Sequence, residues 1–182
     1  MANSDRKFRE LILFVAQESE NDENCGATKL NKILFYADFE AYRKLGQPIS
    51  GQKYQKLERG PAPKGAVPVI SEMEKAGLCK WEDREYFGLP LKKLIPRRDS
   101  DLSVFAPEEL DIARAVINEL WDLNAAEVSD LSHDFVGWQA ASLGEEIPYE
   151  TAFVGKPRPL TPDELAWAHE VIQDYLDERK TA

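Results

Sequence analysis

Residues that could carry catalysis or bind a metal are few in this chain of 182 residues. It has two histidines, His133 and His169, and two cysteines, Cys25 and Cys79. No Cys-x-x-Cys or His-Glu-x-x-His spacing occurs, and no glycine-rich phosphate loop or Gly-x-Ser-x-Gly turn is present. A magnesium site built only from carboxylates stays open, because the chain has 33 acidic residues. The pattern favours a binding protein over an enzyme, with no catalytic residue and no cofactor.

Cysteine usage and hydropathy indicate the compartment. Two cysteines are too few for a disulfide framework, so a reducing cytoplasm is the simplest interpretation, although pairing of Cys25 with Cys79 stays open. Neither cysteine lies at a clear helix start or cationic cluster that would mark a nucleophile. No apolar run reaches the roughly 18 residues of a membrane span, and the first residues lack the apolar core of a signal peptide. We therefore expect a cytoplasmic protein without a membrane partner.

Polar and aromatic residues at two places in the sequence are candidates for binding a partner. Lys29, Lys32, Tyr36 and Arg43 share the one narrow face of a predicted helix that is not apolar. They are either the solvated side of a buried helix or a surface that meets a partner. Another such place holds His133, at the predicted end of a short helix, and Trp138 shortly after it. Here the alternatives are a capping or core histidine beside a core tryptophan, and a shared partner contact.

The helix that positions the first group is predicted over residues 29–45. Leucine, alanine and phenylalanine recur at helical spacing over most of its circumference, which is typical of a helix covered on several sides. Thr28 is the expected N-cap and Gly46 the expected C-terminal cap. After it, residues 54–57 alternate like a strand that stops at Gly60-Pro61.

The remaining pattern predicts an α+β, mostly α fold, as a single domain over 1–182 with a small antiparallel sheet. The predicted helices are 5–20, a third helix ending near 76, 107–122, 124–134 and a C-terminal helix over 161–180. Residues 62–65 are expected to form a turn, and 143–160 an irregular connector. Residues 78–105 are expected to form two to four short strands, the last over 102–105. The strand over 54–57 and those within 78–105 are expected to build the sheet.

Charge is divided unevenly along the chain. Residues 1–98 hold 18 Lys and Arg against 14 Asp and Glu, whereas residues 99–182 hold 5 against 19. The acidic half either helps solubility or faces a basic protein. The net charge of -10 disfavours bulk nucleic-acid binding, which requires a cationic surface. A local basic patch within the first half remains compatible with it.

Several motifs taken together resemble the Panacea domain, the family of SocA-like antitoxins and phage-associated GepA-like proteins. They are Lys29-Leu-Asn-Lys-Ile-Leu-Phe-Tyr-Ala37, Gly60-Pro61, Leu131-Ser-His133, Trp138 and Ile147-Pro148. The likeness spans about residues 28–150. In the family a Leu-Ser-x-x-His segment precedes the tryptophan, and the nearest stretch in this chain is Val128–His133.

The resemblance implies a bacterial or phage antitoxin that neutralises a toxin by direct contact, in at least one relative by delivering the toxin to a protease. The partners it implies are therefore a cognate toxin protein and a protease. The motif residues expected to contact the partner are Lys29, Lys32, Tyr36, Gly60, Pro61, His133 and Trp138. Residues 78–105 and the acidic C-terminal helix lie beside the motifs and are candidates for toxin-specific parts.

A nucleic-acid-binding regulator is the alternative. Three helices followed by a basic hairpin occur in the order of a winged helix. Lys92, Lys93, Arg97 and Arg98 would then lie on the wing. Glu72 and Glu74 on the third helix argue against this alternative, because they would repel phosphate.

Overall fold

Helices and two small antiparallel sheets follow one another along the chain. The computed structural model describes residues 2–155, 161–163, 165–167 and 169. The helices are α1 (Ala2–Glu18), α2 (Ala27–Leu45), α3 (Ala66–Lys75), α4 (Pro107–Glu119), α5 (Ala125–His133) and α6 (Val136–Ala140). The strands are β1 (Tyr54–Leu57), β2 (Gly60–Pro63), β3 (Cys79–Tyr86), β4 (Leu89–Pro96) and β5 (Glu146–Ile147). Short 3-10 helices span Leu102–Val104 and Tyr149–Phe153. The expected α+β, mostly α class is confirmed.

Helix α2 lies at the centre of the fold. It contacts α1, α4, α5, β2, β4 and the second 3-10 helix, as its wide apolar arc predicts. The main core joins its side chains to those of α1 and α4, including Phe8, Phe14, Leu34 and Ile117. A second, aromatic cluster forms on its other side around Phe35.

The two ends of α2 differ from each other in how well they were predicted. Gly46 has φ +76, and its N–H donates to the carbonyl oxygen of Tyr42 at 3.0 Å, so the predicted C-terminal cap is confirmed. The prediction of Thr28 as N-cap is wrong, because the helix begins at Ala27 and its N-cap is Gly26, without a side-chain hydrogen bond. A Cβ on Gly26 would lie 2.5 Å from Cδ1 of Leu91 in β4. The close approach of β4 therefore leaves no room there for a capping side chain.

The strands form two separate sheets, and the prediction that residues 54–57 and 78–105 share one sheet is wrong. One sheet has the order β2-β1-β5, and the other is the antiparallel hairpin of β3 and β4. Strand β2 pairs with β1 in the register Tyr54 opposite Pro63 and Lys56 opposite Pro61. Its prolines are tolerated because β2 is an edge strand, and they also explain why residues 62–65 were predicted as a turn.

The structure also tests the predicted strand over residues 102–105 and the predicted start of α5. Residues 102–104 form a 3-10 helix rather than a strand, because Asp101 caps that turn by accepting from Ser103 N–H. The capping box at the start of α5 is confirmed: Asn124 accepts from Ala126 and Glu127 N–H, and its own N–H donates to the Glu127 carboxylate. Most of the predicted C-terminal helix over 161–180 lies outside the described residues.

Candidate functional site

Lys29 is buried rather than on a polar surface, so the predicted exposure of this residue is wrong. Its side chain is 0% exposed, and Nζ lies 2.6 Å from a carboxylate oxygen of Asp22. The ammonium also donates to the carbonyl oxygens of Trp121 and Leu123 at 2.6 and 2.8 Å. An anion and two carbonyl oxygens therefore surround this ammonium and offset the cost of burying its charge. Lys29 thus joins α2 to the loop before it and to the segment after α4.

Lys32, one turn further along α2, is also buried and also contradicts the predicted polar face. It is 2% exposed, and Nζ donates to the carbonyl oxygen of Pro61 at 2.9 Å. No carboxylate among the described residues forms an ion pair with it. Because burial disfavours the charged form, the pKa of Lys32 is lowered to about 8. Its position under β2 brings the two family-like motifs of α2 and Gly60-Pro61 into direct contact.

Gly60 makes that contact sterically possible. It has φ +91, and a Cβ at this position would lie 2.7 Å from Cε and 2.9 Å from Nζ of Lys32, and closer still to Oγ of Ser132. Ser132 is fully buried and precedes His133 at the end of α5. The glycine is therefore required both by its backbone conformation and by the approach of side chains from α2 and α5.

Tyr36 is half-buried, and Arg43 is the one member of the predicted polar face that is exposed. The Tyr36 ring packs edge-on against Phe35, with centroids 5.1 Å apart. Burial, with the neighbouring charges of Glu119 and Asp134, raises the pKa of the Tyr36 hydroxyl. Arg43 instead forms an ion pair with Glu40 on the helix surface. The four residues share a helix face, but the fold covers most of it.

His133 and Trp138 form a stacked pair at the junction of α5 and α6. Their ring centroids are 4.1 Å apart and the planes are inclined by 18°. Trp138 Nε1 donates to the carbonyl oxygen of Leu57 at 3.2 Å, and Lys56 Nζ lies 4.2 Å from the centroid of the indole. His133 Nε2 is buried and has no hydrogen-bond partner within the described part of the chain. We call Lys56, Leu57, His133 and Trp138 the Trp138 surface.

A cavity of about 660 Å³ lies beside this surface. It is bounded by α2, the turn from β1 to β2, and the loop before β5. Its lining residues include Thr28, Asn31, Lys32, Arg59, Gly60 and Leu143. Leu57 belongs to both places, since its carbonyl holds Trp138 and the residue lines the cavity. Lys32, Gly60, Pro61, His133 and Trp138 therefore lie in one region, whereas Lys29 lies in the interior and Tyr36 is half-buried against Phe35.

Asp38 is a buried polar group that the motif analysis missed. Its carboxyl group is 0% exposed and accepts from Ser50 N–H at 2.7 Å and from the Ser50 hydroxyl. The hydroxyls of Tyr54 and Tyr149 lie 2.8 and 3.4 Å from Oδ2. Burial raises the pKa of this carboxyl group above its usual range, although the hydrogen bonds oppose the change. The only signal in the sequence was an aspartate inside an otherwise apolar helix arc.

Metal and thiol chemistry have little structural basis in the part of the chain that the structure describes. There, no group of three or more His, Cys, Asp or Glu is placed to hold a metal ion. Cys25 and Cys79 are both buried free thiols, and burial raises the pKa of each, that of Cys79 to about 11. In the same described residues, no helix is long and apolar enough to cross a membrane.

Comparison with known proteins identifies a family from sequence. The family model described as "Antitoxin SocA-like, Panacea domain" matches residues 30–139, which run from the start of α2 to the end of α6. No curated protein and no solved structure matches the chain. The matched stretch contains Lys32, Gly60, Pro61, His133 and Trp138, and it covers more than half of the chain. The protein therefore belongs to the family of SocA-like antitoxins that carry the Panacea domain.

Proposed function

We propose that this protein is an antitoxin that neutralises a toxin by direct protein contact through the Trp138 surface. The observation that carries the proposal is the fixed position of the half-exposed indole. The His133 ring stacks on it, the Leu57 carbonyl accepts from its N–H, and the Lys56 ammonium lies over it. An aromatic side chain held in this way loses little conformational freedom on binding and is the residue type most enriched in binding hot spots.

The neighbourhood of the indole suits a protein partner. Leu57 and Leu143 are 39% and 64% exposed, so apolar area continues from the Trp138 surface to the mouth of the cavity. The acidic half of the chain would speed the encounter with a basic toxin, because opposite charges steer association. Burial of the indole would then set the dissociation rate. This mechanism requires no enzyme activity and no cofactor of the chain itself.

The test is co-expression with a small protein that is encoded by an adjacent reading frame and is toxic when expressed alone; we call this protein the toxin encoded by the adjacent reading frame. Trp138→Ala should lose neutralisation, while its thermal melting stays within a few degrees of the wild type. The matched control is Val67→Ala, which truncates a residue that is 82% exposed on α3 and should neutralise fully. If a folded Trp138→Ala variant protects cells as well as the wild type does, the Trp138 surface is excluded.

Delivery of the toxin to a protease is a further step that the family resemblance suggests. It is distinguished from masking alone by the lifetime of the toxin after its synthesis is stopped. A shorter lifetime in cells with the antitoxin indicates delivery, and an unchanged lifetime with full protection indicates masking.

The nucleic-acid alternative has weaker support from the contacts of the hairpin. Lys93 is buried and donates to the carbonyl oxygens of Glu20 and Asp22, and Arg98 forms an ion pair with Glu10 at 2.6 Å. Lys93 is engaged in the interior and Arg98 in a partly exposed ion pair, and phosphate binding requires free cations. Binding to generic duplex DNA that weakens steeply with salt and is abolished by Lys92→Glu with Arg97→Glu would favour the alternative.

A further inference from the structure

Three lysines are buried among the described residues, and they differ in their partners. Lys29 has a carboxylate and two carbonyl oxygens. Lys93 has two carbonyl oxygens, from Glu20 and Asp22. Lys32 has a single carbonyl oxygen, that of Pro61. Buried charges in proteins are ordinarily paired and hydrogen-bonded, because an unpaired one is costly. Lys32 departs from that rule and has donor capacity left over.

The cavity provides open space beside Lys32, which is one of its lining residues. Thr28, Asn31 and Lys32 lie on the same face of α2 and all line it. The Thr28 hydroxyl and the Asn31 amide have no hydrogen-bond partner among the described residues, so further donors are present beside Lys32. At about 660 Å³ the cavity lies within the usual range of ligand sites, about 300–1,000 Å³.

The charges of the lining favour a carboxylate over a phosphate. Arg59 and Glu58 both line the cavity and oppose each other in sign, so the net contribution of the lining is the single charge of Lys32. A monoanion matches one ammonium, whereas a phosphate dianion would keep one negative charge without a partner. The exposed side chains of Leu57 and Leu143 favour a ligand with apolar parts next to its anionic group.

We propose that this cavity binds a carboxylate group of a protein partner, with Lys32 as its charge partner and Thr28 and Asn31 as additional donors. The inference rests on the proposed antitoxin function and names what the partner inserts next to the Trp138 surface. The carboxylate belongs either to an Asp or Glu side chain of the partner or to its C-terminus.

The first experiment measures affinity for the toxin encoded by the adjacent reading frame. Lys32→Met keeps the length of the side chain and removes the charge, so the fold should persist. Its dissociation constant should rise by about 30-fold or more, because the carboxylate of the partner would then be buried without its cation. The control is Lys44→Met, which removes the same charge from the exposed end of α2 and should change the dissociation constant by less than about threefold.

Two kinds of toxin variant identify the source of the carboxylate. One extends the C-terminus by two residues, and the others change its acidic side chains to amides. Loss of affinity with the first assigns the carboxylate to the C-terminus, and loss with one of the others assigns it to that side chain. Retained affinity with all of them overturns the inference.

A separate readout does not need the toxin. Acetyl-Leu-Leu with a free carboxylate should raise the pKa of Lys32 from about 8, because an anion beside the ammonium favours its charged form. Acetyl-Leu-Leu amide, which has no carboxylate, should not change this pKa. NMR titration of the labelled lysine measures the pKa in both cases. No shift with either peptide contradicts the carboxylate site. If wild type and Lys32→Met bind the toxin equally well, only this inference fails, whereas a wild type that binds no toxin refutes the proposed function.

Discussion

Lys29 and Asp22 form an ion pair that is almost completely buried, with Nζ 2.6 Å from Oδ2 and exposed fractions of 0% and 3%. The pair connects the first turn of α2 to the loop that follows α1. Lys32, three residues away on the same helix, has no such partner among the described residues. The two lysines of one family-like motif therefore have different surroundings: Lys29 lies beside a carboxylate and two carbonyl oxygens, and Lys32 donates to the Pro61 carbonyl oxygen alone.

The first prediction follows from this difference. Lys29→Met should lower the free energy of unfolding by about 3–5 kcal/mol, because it leaves the Asp22 carboxylate buried and unpaired. Lys32→Met should lower it by no more than about 1 kcal/mol, the contribution of one hydrogen bond to a carbonyl. Guanidinium unfolding measures both. The double variant Lys29→Met with Asp22→Asn should recover part of the loss, and equal losses for both single lysine variants would contradict the assignment.

The second prediction concerns Gly60. Gly60→Ala should destabilise the protein by about 1–3 kcal/mol for its backbone conformation and by a similar further amount for the contact with Lys32 and Ser132. Gly144→Ala is the matched control, since Gly144 has φ +80 but a Cβ there meets nothing within 4 Å. Only the backbone cost should appear in the control. Equal unfolding free energies for the two variants would show that Lys32 and Ser132 move aside at little cost.

The third prediction concerns the pH dependence that Asp38 contributes. The Tyr54 hydroxyl has one proton but lies 2.8 Å from both the Leu34 carbonyl oxygen and Asp38 Oδ2. A protonated Asp38 can donate to Tyr54 while Tyr54 donates to Leu34, so the neutral acid that burial favours can still be hydrogen-bonded, although the hydrogen bonds that the carboxylate accepts oppose its protonation.

Because the pKa of Asp38 is raised in the folded state, the folded protein binds this proton more tightly than the unfolded chain does. The stabilisation is fully present below the unfolded pKa of about 3.9 and is lost as pH rises through the folded pKa. The unfolding free energy of the wild type relative to Asp38→Asn should therefore increase as the pH is lowered toward 4. The comparison cancels the carboxylates with lowered pKa, such as Glu10, which act in the opposite direction in both proteins. A difference that is constant with pH would mean that Asp38 stays ionised.

The fourth prediction concerns the tip of the β3–β4 hairpin. Phe87 and Gly88 have φ +47 and +76, the arrangement of a type I′ turn in which asparagine is favoured at the first position. Phe87 is 88% exposed, so packing offsets little of its backbone cost. Phe87→Asn should raise the unfolding free energy by about 1 kcal/mol. Phe87→Ala, which also removes the ring contact with Tyr86, should give no such gain, and identical melting of the two variants would argue against strain at this residue.

Local patterns in the sequence were sufficient to predict most helices and some of their ends. The apolar spacing of α2, the glycine cap at Gly46 and the capping box at Asn124 depend on residues within a few positions of one another. Such signals act through backbone conformation and near-neighbour hydrogen bonds, so they can be read without knowing the fold. The order of motifs likewise predicted the family that the comparison confirms.

Strand pairing could not be predicted from these local patterns. Gly60–Pro63 has a composition typical of a turn, and it becomes a strand only because β1 offers it a partner on the edge of a sheet. The separation of β1 from the β3–β4 hairpin depends in the same way on contacts between distant segments.

The burial of Lys29 and Lys32 was decided by tertiary structure alone. Both residues lie on a helix face that periodicity predicts to be polar and exposed, and a lysine is ordinarily found there. The free energy of burying an ammonium depends on which groups approach it, and Asp22, Trp121, Leu123 and Pro61 come from three other segments of the chain. Periodicity along one helix contains no information about those approaches, because they arise only when the segments pack.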